Sequence, residues 1–492
     1  MKTIYLKIKM ALFLVGTLVT ISGVFSCKKT NSTPRLTISN ITDTIPAEGG
    51  TVSLTFNINA SWSIDTTGID WLHLSQTSGN SGDGAIQLTA PANTSGISRS
   101  LLIQLNSANG QTRRITVLQA PVIFPSYNTS PKAPDATGMG STAMQINANI
   151  KMGMNIWNTM EAPGGETGWG NPVIAQSLID TLKKAGFNAI RIPVQYWWSH
   201  ANHQTGAIDS AWLNRVKEVV QYCMNDGMYV LLNIHYDGGW LDCTATGTKL
   251  DTVKAIQKAL WEQIATKMRD FDEHVMFASA NEPNANDLPT SINLQSFHQI
   301  FINAVRSTGG KNVYRTLVIQ APSTSLDLAN YFSPGAIPGM PYDPTPNKIM
   351  LEFHWYSPAN FCILGGDASW GREWRYWGAN FHSQDDTLHN STANAEEGYI
   401  QSNMQWAKKS FVDKNIPVLI GEFGAEYHAS HCPTPADSIL SLTSAAHFFG
   451  EIVRDARANG LSPFLWAGVI NRQTETIDNT QQLDSLRSGA GL

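Results

Sequence analysis

The chain has 492 residues, too many for one small domain, and its length points to two or three. A net charge of −5, with Lys and Arg scattered and no basic stripe, excludes a nucleic-acid partner. Fifteen Trp accompany only 15% charged residues, a surplus of flat rings available for stacking as well as for cores.

Lys2, Lys7 and Lys9 precede an apolar stretch from Met10 to Phe25 and then Cys27. The stretch is short of the ~20 residues that span a bilayer, so residues 1–26 read as an export signal. Val24-Phe25-Ser26-Cys27 resembles a bacterial lipobox, although Phe25 stands where a small residue is usual. This implies cleavage before Cys27, lipidation of its sulfur and a membrane anchor in the outer membrane of a Gram-negative bacterium. The alternative is an ordinary secretory signal with an incidental cysteine. Residues 27–33 form a tether, and Lys28-Lys29 leaves periplasmic or surface orientation open. Cys223 lies in an amphipathic helical stretch and reads as core. An oxidising compartment permits one disulfide among Cys243, Cys362 and Cys432, without naming the pair.

Residues 34–120 alternate apolar and polar residues in short runs, as in Thr51–Ile58, Ala85–Thr89 and Arg113–Gln119. Gly49-Gly50, Gly79, Gly82, Gly84 and Asn109-Gly110 read as turns between them. This predicts a small all-β sandwich, immunoglobulin-like in form. Pro46-Ala-Glu-Gly-Gly, Ala60-Ser-Trp62-Ser-Ile, Trp71-Leu-His-Leu-Ser and the closing Ile-Thr-Val-Leu-Gln-Ala resemble a BACON domain. Whether it binds glycan or acts as a spacer stays open. Trp62 and Trp71 fall in strand patterns that favour a core role, hence a spacer. Residues 121–143, rich in Pro, Ser, Thr and Gly, read as a flexible linker reaching on the order of 25 Å.

From 144 to 492 strand and helix patterns alternate. Strand-like runs fall at Ile150–Trp157, Ala189–Pro193, Tyr229–Ile234, Val275–Ala280, Thr316–Gln320, Ile349–Phe353, Val418–Gly421 and Pro463–Ala467. Amphipathic stretches separate most of them, which predicts an α/β fold, a (β/α)8 TIM barrel. Polar residues close seven of the eight runs, at the end where barrel sites are built: Asn155 and Asn158, Arg191, His235, Asn281-Glu282, His354 and Tyr356, Glu422, and Trp466. Glu282 and Glu422, each after an apolar strand, are the pair of carboxylates that glycosidic cleavage requires.

Ile190-Arg191-Ile-Pro, Asn233-Ile-His235-Tyr, Asn281-Glu282-Pro, His354-Trp-Tyr356, Gly421-Glu422-Phe-Gly and Trp466 together resemble the family 5 glycoside hydrolases, the cellulase group. Gly153-Met-Asn-Ile-Trp-Asn158-Thr-Met-Glu-Ala, Glu166-Thr-Gly-Trp-Gly-Asn-Pro and His235-Tyr-Asp-Gly-Gly-Trp240 are similar to subfamily 4, whose members are mainly endo-acting on β-1,4-glucans. The resemblance implies a retaining mechanism with Glu282 as general acid/base and Glu422 as nucleophile. It also implies supporting roles for Arg191, His235, Asn281, His354, Tyr356, Trp466, Asn158 and Trp240. Arg191 and Tyr356 are expected to hold Glu422 ionised, while desolvation and Glu422 push Glu282 toward its protonated form. No cofactor is called for, no metal site is expected, and the expected partner of this monomer is plant cell-wall β-glucan, xyloglucan first. A β-mannanase or xylanase on the same scaffold, or a catalytically silent surface glycan-binding lipoprotein, is the alternative.

Overall fold

The computed structural model describes residues 33–492. The export signal, Cys27 and the tether up to residue 32 lie outside the described residues. The chain divides into two compact units, one ending at Gln119 and the other formed by Ala92–Ser98 with Ala120–Leu492.

The first unit is a sandwich. One sheet orders Leu36–Ile38, Gly49–Ile58, Gly82–Pro91 and His73–Leu74; the other orders Thr42–Ile45, Thr112–Gln119, Arg99–Ser107, Trp62–Asp65 and Ser78–Gly79. Alternation along each strand turns Leu54, Phe56, Ile58, Ile86 and Leu88 inward to meet Ile103, Leu105, Ile115 and Val117. Trp62 is buried there, edge-on to Phe56 with ring centroids 5.0 Å apart. Trp71 is half-buried under the Arg99 guanidinium, 4.5 Å above its ring. Two of the glycines expected as turns have another task. A Cβ at Gly79 would lie 2.7 Å from Trp62, and one at Gly84 2.4 Å from Phe56, so each glycine makes room for an aromatic ring.

In the second unit eight parallel strands close into a barrel: Gly153–Asn155, Ala189–Ile192, Tyr229–Asn233, Val275–Ala278, Leu317–Gln320, Ile349–Trp355, Val418–Phe423 and Leu461–Leu465. Every expected strand is present, within a few residues of its expected bounds. The main outer helices are Gln176–Lys184, Ser210–Asn225, Gly247–Met268, Leu288–Ser307, Glu397–Ser410 and Pro435–Ala458. Two helices longer than one turn had no sequence expectation among the described residues, Ala143–Asn149 and Thr480–Ala490. The first is closed by a Thr142–Gln145 capping box and inserts Ala143 and Ile146 among Leu231, Met276, Val318, Met350, Leu419 and Phe464. It plugs the base of the barrel and leaves the opposite end for chemistry. Gly153 lets Phe464 cross the barrel floor, since a Cβ there would stand 2.3 Å from the ring.

The segment expected as a flexible linker is bound along the barrel instead. Tyr127 N donates to Glu262 Oε2 at 2.6 Å, Lys132 N to the Thr308 carbonyl at 3.1 Å, and Ser141 Oγ to Glu273 Oε1 at 2.6 Å. Lys348 Nζ donates to the Met139 carbonyl at 2.8 Å, and Phe124 is buried beside Trp197. A polar composition signalled exposed backbone, but it equally supplies the donors that helix side chains capture. The disulfide allowed on compartment grounds is not formed either. Cys223, Cys243, Cys362 and Cys432 are free thiols, and Cys243 and Cys362 are packed into the apolar core around the barrel.

Candidate active site

The strand ends converge as expected, and a bulge sets their register. Phe353 pairs with Ile420 but His354 with Glu422, so Gly421 is the extra residue that turns Glu422 toward the sixth strand. The Glu422 side chain is nearly buried, 5% exposed, and that of Glu282 is 51% exposed. His354 stands between them, with Nδ1 2.7 Å from Glu282 Oε1 and 3.5 Å from Glu422 Oε2. Carboxylate oxygens of Glu282 and Glu422 lie within 4.8 Å of one another. That fits the ~5–5.5 Å carboxyl spacing of double displacement and not the ~6.5–9.5 Å of inversion.

Glu422 is held from both sides. Arg191 Nη1 donates to its Oε1 at 2.8 Å and the Tyr356 hydroxyl to its Oε2 at 2.9 Å. Burial pulls Arg191 down, but Glu352 and Glu422 more than offset this and raise it above its ordinary value. Burial, with the charge of Glu422, pushes the Tyr356 phenol well up, so it remains a donor. Arg191 also reaches Asn155 Oδ1 at 3.0 Å and Asn281 Oδ1 at 2.7 Å, tying the first, second and fourth strands together.

The electrostatics of Glu282 differ from the expectation. Burial pushes its carboxyl up, but the hydrogen bond and charge of His354 outweigh burial and hold it below the usual carboxylate range. Against desolvation, Glu422, Glu282 and Glu352 raise His354 to about 9. The lowered carboxyl and the raised imidazole together favour a proton on His354 over one on Glu282 in the unliganded protein. Desolvation acts on Glu282 as expected, but the His354 ring 2.7 Å away, a neighbour that no local sequence pattern records, outweighs it.

His235 stacks on Trp466, centroids 5.5 Å apart and planes 8° off parallel. Burial, with Arg191 and His354 nearby, holds its pKa well below the ordinary value, so it is neutral. Trp240 is half-buried and donates to Asp237 Oδ2 at 3.2 Å, an oxygen that also accepts from Trp197 N at 2.7 Å. A Cβ at Gly238 would lie 1.8 Å from Trp198, which lies over that turn with its ring exposed. Asn158 serves its loop through its backbone, in the left-handed region at φ 55°, and its side chain is exposed. Trp370, Trp374 and Trp377, weighed from spacing as one face of a short helix, lie in irregular chain and are respectively exposed, half-buried and fully buried.

One residue that sequence reasoning passed over is central. Glu352, on the sixth strand two residues before His354, is fully buried and pairs with Arg191 Nη2 at 3.1 Å. The signal was there: an ionisable residue inside an apolar parallel strand is costly unless paired. Among the described residues a further cluster, Glu373 with His428 and His431, brings possible metal-ligand atoms within 4.8 Å. Glu373 is already engaged by Arg375 at 3.0 Å and by the two imidazoles at 2.9 and 2.6 Å, a hydrogen-bonded knot joining two loops.

Residues 151–470 match the family described as Cellulase (glycosyl hydrolase family 5). The chain belongs to glycosyl hydrolase family 5. It is therefore a glycosidase, and the family works with retention. Residues 35–121 match a family described as Viral BACON domain. The xyloglucan-specific endo-beta-1,4-glucanase BoGH5A of Bacteroides ovatus is 33% identical over 472 residues, covering 90% of this chain and 89% of that protein. Endoglucanase A of Paenibacillus barcinonensis is 30% identical over 76% of this chain and 96% of its own length. Among solved structures, the Bacteroides ovatus family 5 xyloglucanase with a XXXG heptasaccharide superposes with a TM-score of 0.67 at 30% identity, over 93% of this chain and all of that one (100%). XEG5B, a xyloglucan-specific beta-1,4-glucanase from a ruminal metagenomic library, has a TM-score of 0.65 at 32% identity, over 71% and 96% of the two chains.

Proposed function

We propose that this chain is an endo-acting β-1,4-glucanase with xyloglucan as its first substrate, Glu422 its nucleophile and Glu282 its general acid/base. The observation that carries the roles is the asymmetry of two carboxylates within 4.8 Å: Glu422 nearly buried and doubly hydrogen-bonded, Glu282 half-exposed beside the His354 imidazole. Glu422 attacks the anomeric carbon while Glu282 gives a proton to the departing oxygen. The covalent glycosyl–enzyme then yields to water, whose proton Glu282 takes. Asn281 has its carbonyl oxygen on Arg191, which leaves the amide N–H groups to donate to a sugar 2-hydroxyl. His235 and Trp466 form a stacked floor for a sugar ring, and exposed Trp198, Tyr236 and Trp370 offer further platforms.

Xyloglucan is favoured because relatives at 30–33% identity described as xyloglucanases align over most of this chain. The Cys27 lipobox supports export as a lipid-anchored protein. Reducing-end release from xyloglucan, mixed-linkage glucan, carboxymethylcellulose, galactomannan and xylan, with Glu422→Ala as blank, tests the proposal. Oligosaccharides from the glucans support it; activity confined to mannan or xylan overturns the substrate, and silence on all five overturns the catalytic reading.

A further inference from the structure

Both ring nitrogens of His354 face carboxylate oxygens: Nδ1 that of Glu282 at 2.7 Å, Nε2 that of Glu352 at 3.3 Å. A neutral imidazole carries one N–H and would turn a lone pair toward one of these anions. Glu352 is fixed in place. Its Oε1 meets Arg191 at 3.1 Å, and its Oε2 accepts from Gln320 Nε2 at 2.7 Å. Gln320 Oε1 in turn accepts from Ala280 N at 2.8 Å. The barrel wall is shaped around the carboxylate, for a Cβ at Gly421 would lie 1.8 Å from Glu352 Oε1. No sugar reaches it, since the side chain has no exposed surface.

We propose that Glu352 is a positioning residue that keeps a hydrogen on Nε2 of His354 and thereby makes Nδ1 the store of the proton that Glu282 delivers. This rests on the acid/base role assigned to Glu282 above. At rest the pair is imidazolium and carboxylate. When the polymer covers Glu282, the Nδ1 proton moves to the Glu282 carboxyl, leaving a neutral ring whose Nε2–H still donates to Glu352. Glu282 gives that proton to the glycosidic oxygen as the C–O bond breaks and Glu422 bonds to the anomeric carbon. Water then attacks that carbon, the ester to Glu422 breaks, and the water's proton passes to Glu282 and back to Nδ1. The arrangement parallels the carboxylate that holds a catalytic histidine in one tautomer and stabilises its imidazolium.

The charged and titratable groups facing His354 are Glu282 after the fourth strand, Glu422 from the seventh, Arg191 from the second, His235 after the third, and Glu352 from its own. Glu352 is the anion on the Nε2 side. Without it, Glu422 and Glu282 alone favour the imidazolium, and the ring holds its second proton less firmly on the alkaline side. The raised value of His354, about 9, agrees with this.

The test is the pH profile of kcat/KM on the polysaccharide for the full protein and its Glu352→Gln and Glu352→Asp variants, together with the ring-nitrogen NMR signals of His354. The wild-type ring is expected to be doubly protonated at neutral pH. Glu352→Gln should move the alkaline limb down by about one pH unit or more, an approximately tenfold or larger loss on that side with little on the acid side. Glu352→Asp, which keeps the charge, should return the limb toward its original position. A limb that stays in place in Glu352→Gln overturns the proposal, as does a loss that is uniform across pH. If Glu352→Gln does not fold, the wild-type signals decide: a neutral ring at neutral pH refutes the proton store. Failure of the wild type to cleave any β-glucan would sink the functional reading alone, because the ring signals still report on Glu352.

Discussion

Gly421→Ala is the most informative small perturbation of this site. The glycine is not in the left-handed region, so alanine strains no backbone angle there; the cost is one steric conflict. The new Cβ would stand 1.8 Å from Glu352 Oε1 where 3.4 Å is ordinary contact, a shortfall of roughly 1.6 Å. Glu352 cannot yield it cheaply, being held by Arg191, Gln320 and His354. The strand must move instead, and the next residue is Glu422. Overpacking of this kind costs ~1–3 kcal/mol, which lowers Tm by about 2–12 °C at ~2–4 °C per kcal/mol. A nucleophile displaced by about 1 Å loses on the order of a hundredfold in kcat. Thermal unfolding and reducing-end release measure both, and a double-mutant cycle with Glu352→Ala isolates the cause. In the Glu352→Ala background, the added Tm penalty of Gly421→Ala should nearly vanish. An equal penalty in both backgrounds would refute the steric account.

Glu282→Ala should lower kcat/KM on polysaccharide by ~10²–10⁴-fold but spare cleavage of a dinitrophenyl glycoside, whose leaving group needs no proton. Equal loss on both substrates sinks the acid role. Azide added to Glu422→Ala should yield a glycosyl azide of inverted configuration, and its NMR coupling constant reads the outcome. Glu262→Ala removes the acceptor for Tyr127 N and Asn128 N and should cost ~1–3 kcal/mol while exposing residues near 128 to proteolysis. Unchanged cleavage would show that the segment is held by other contacts. His354 is raised to about 9, so its contribution to stability is complete below about pH 6.5 and lost as pH climbs through about 9. Glu282 is lowered, so its contribution is present above its ordinary range and lost on acidification. Urea unfolding across pH checks both signs.

The barrel was legible because parallel strands buried on both faces read as apolar runs, and site residues fall where those runs end. Arg191, Asn281, His354, Tyr356 and Glu422 are thus placed by the sequence pattern alone. Glu352 is hidden from a sequence reading because it lies inside an apolar run; its meaning comes from partners on the second and fifth strands, which no local pattern records. The base helix Ala143–Asn149 was lost to the linker reading for a similar reason. Its seven residues carry too short a period, and its worth lies in Ile146 meeting Phe464 more than 300 positions away. The charge state of Glu282 was misjudged because pKa depends on distance, and the sequence gives none for His354.

The unequal exposure of the two glutamates also bears on what the enzyme makes. With Glu422 as the proposed nucleophile, the glycosyl group rests as an ester on it once the departing chain has left, shielded from below by Arg191, Tyr356 and the strand bulge. Only the half-exposed flank beside Glu282 admits an acceptor. Any hydroxyl that settles there is activated by the same base as water. At high oligosaccharide concentration the site should therefore build new β-linkages as well as break them, and the ratio is set by how long the released chain lingers on the aromatic rings nearby.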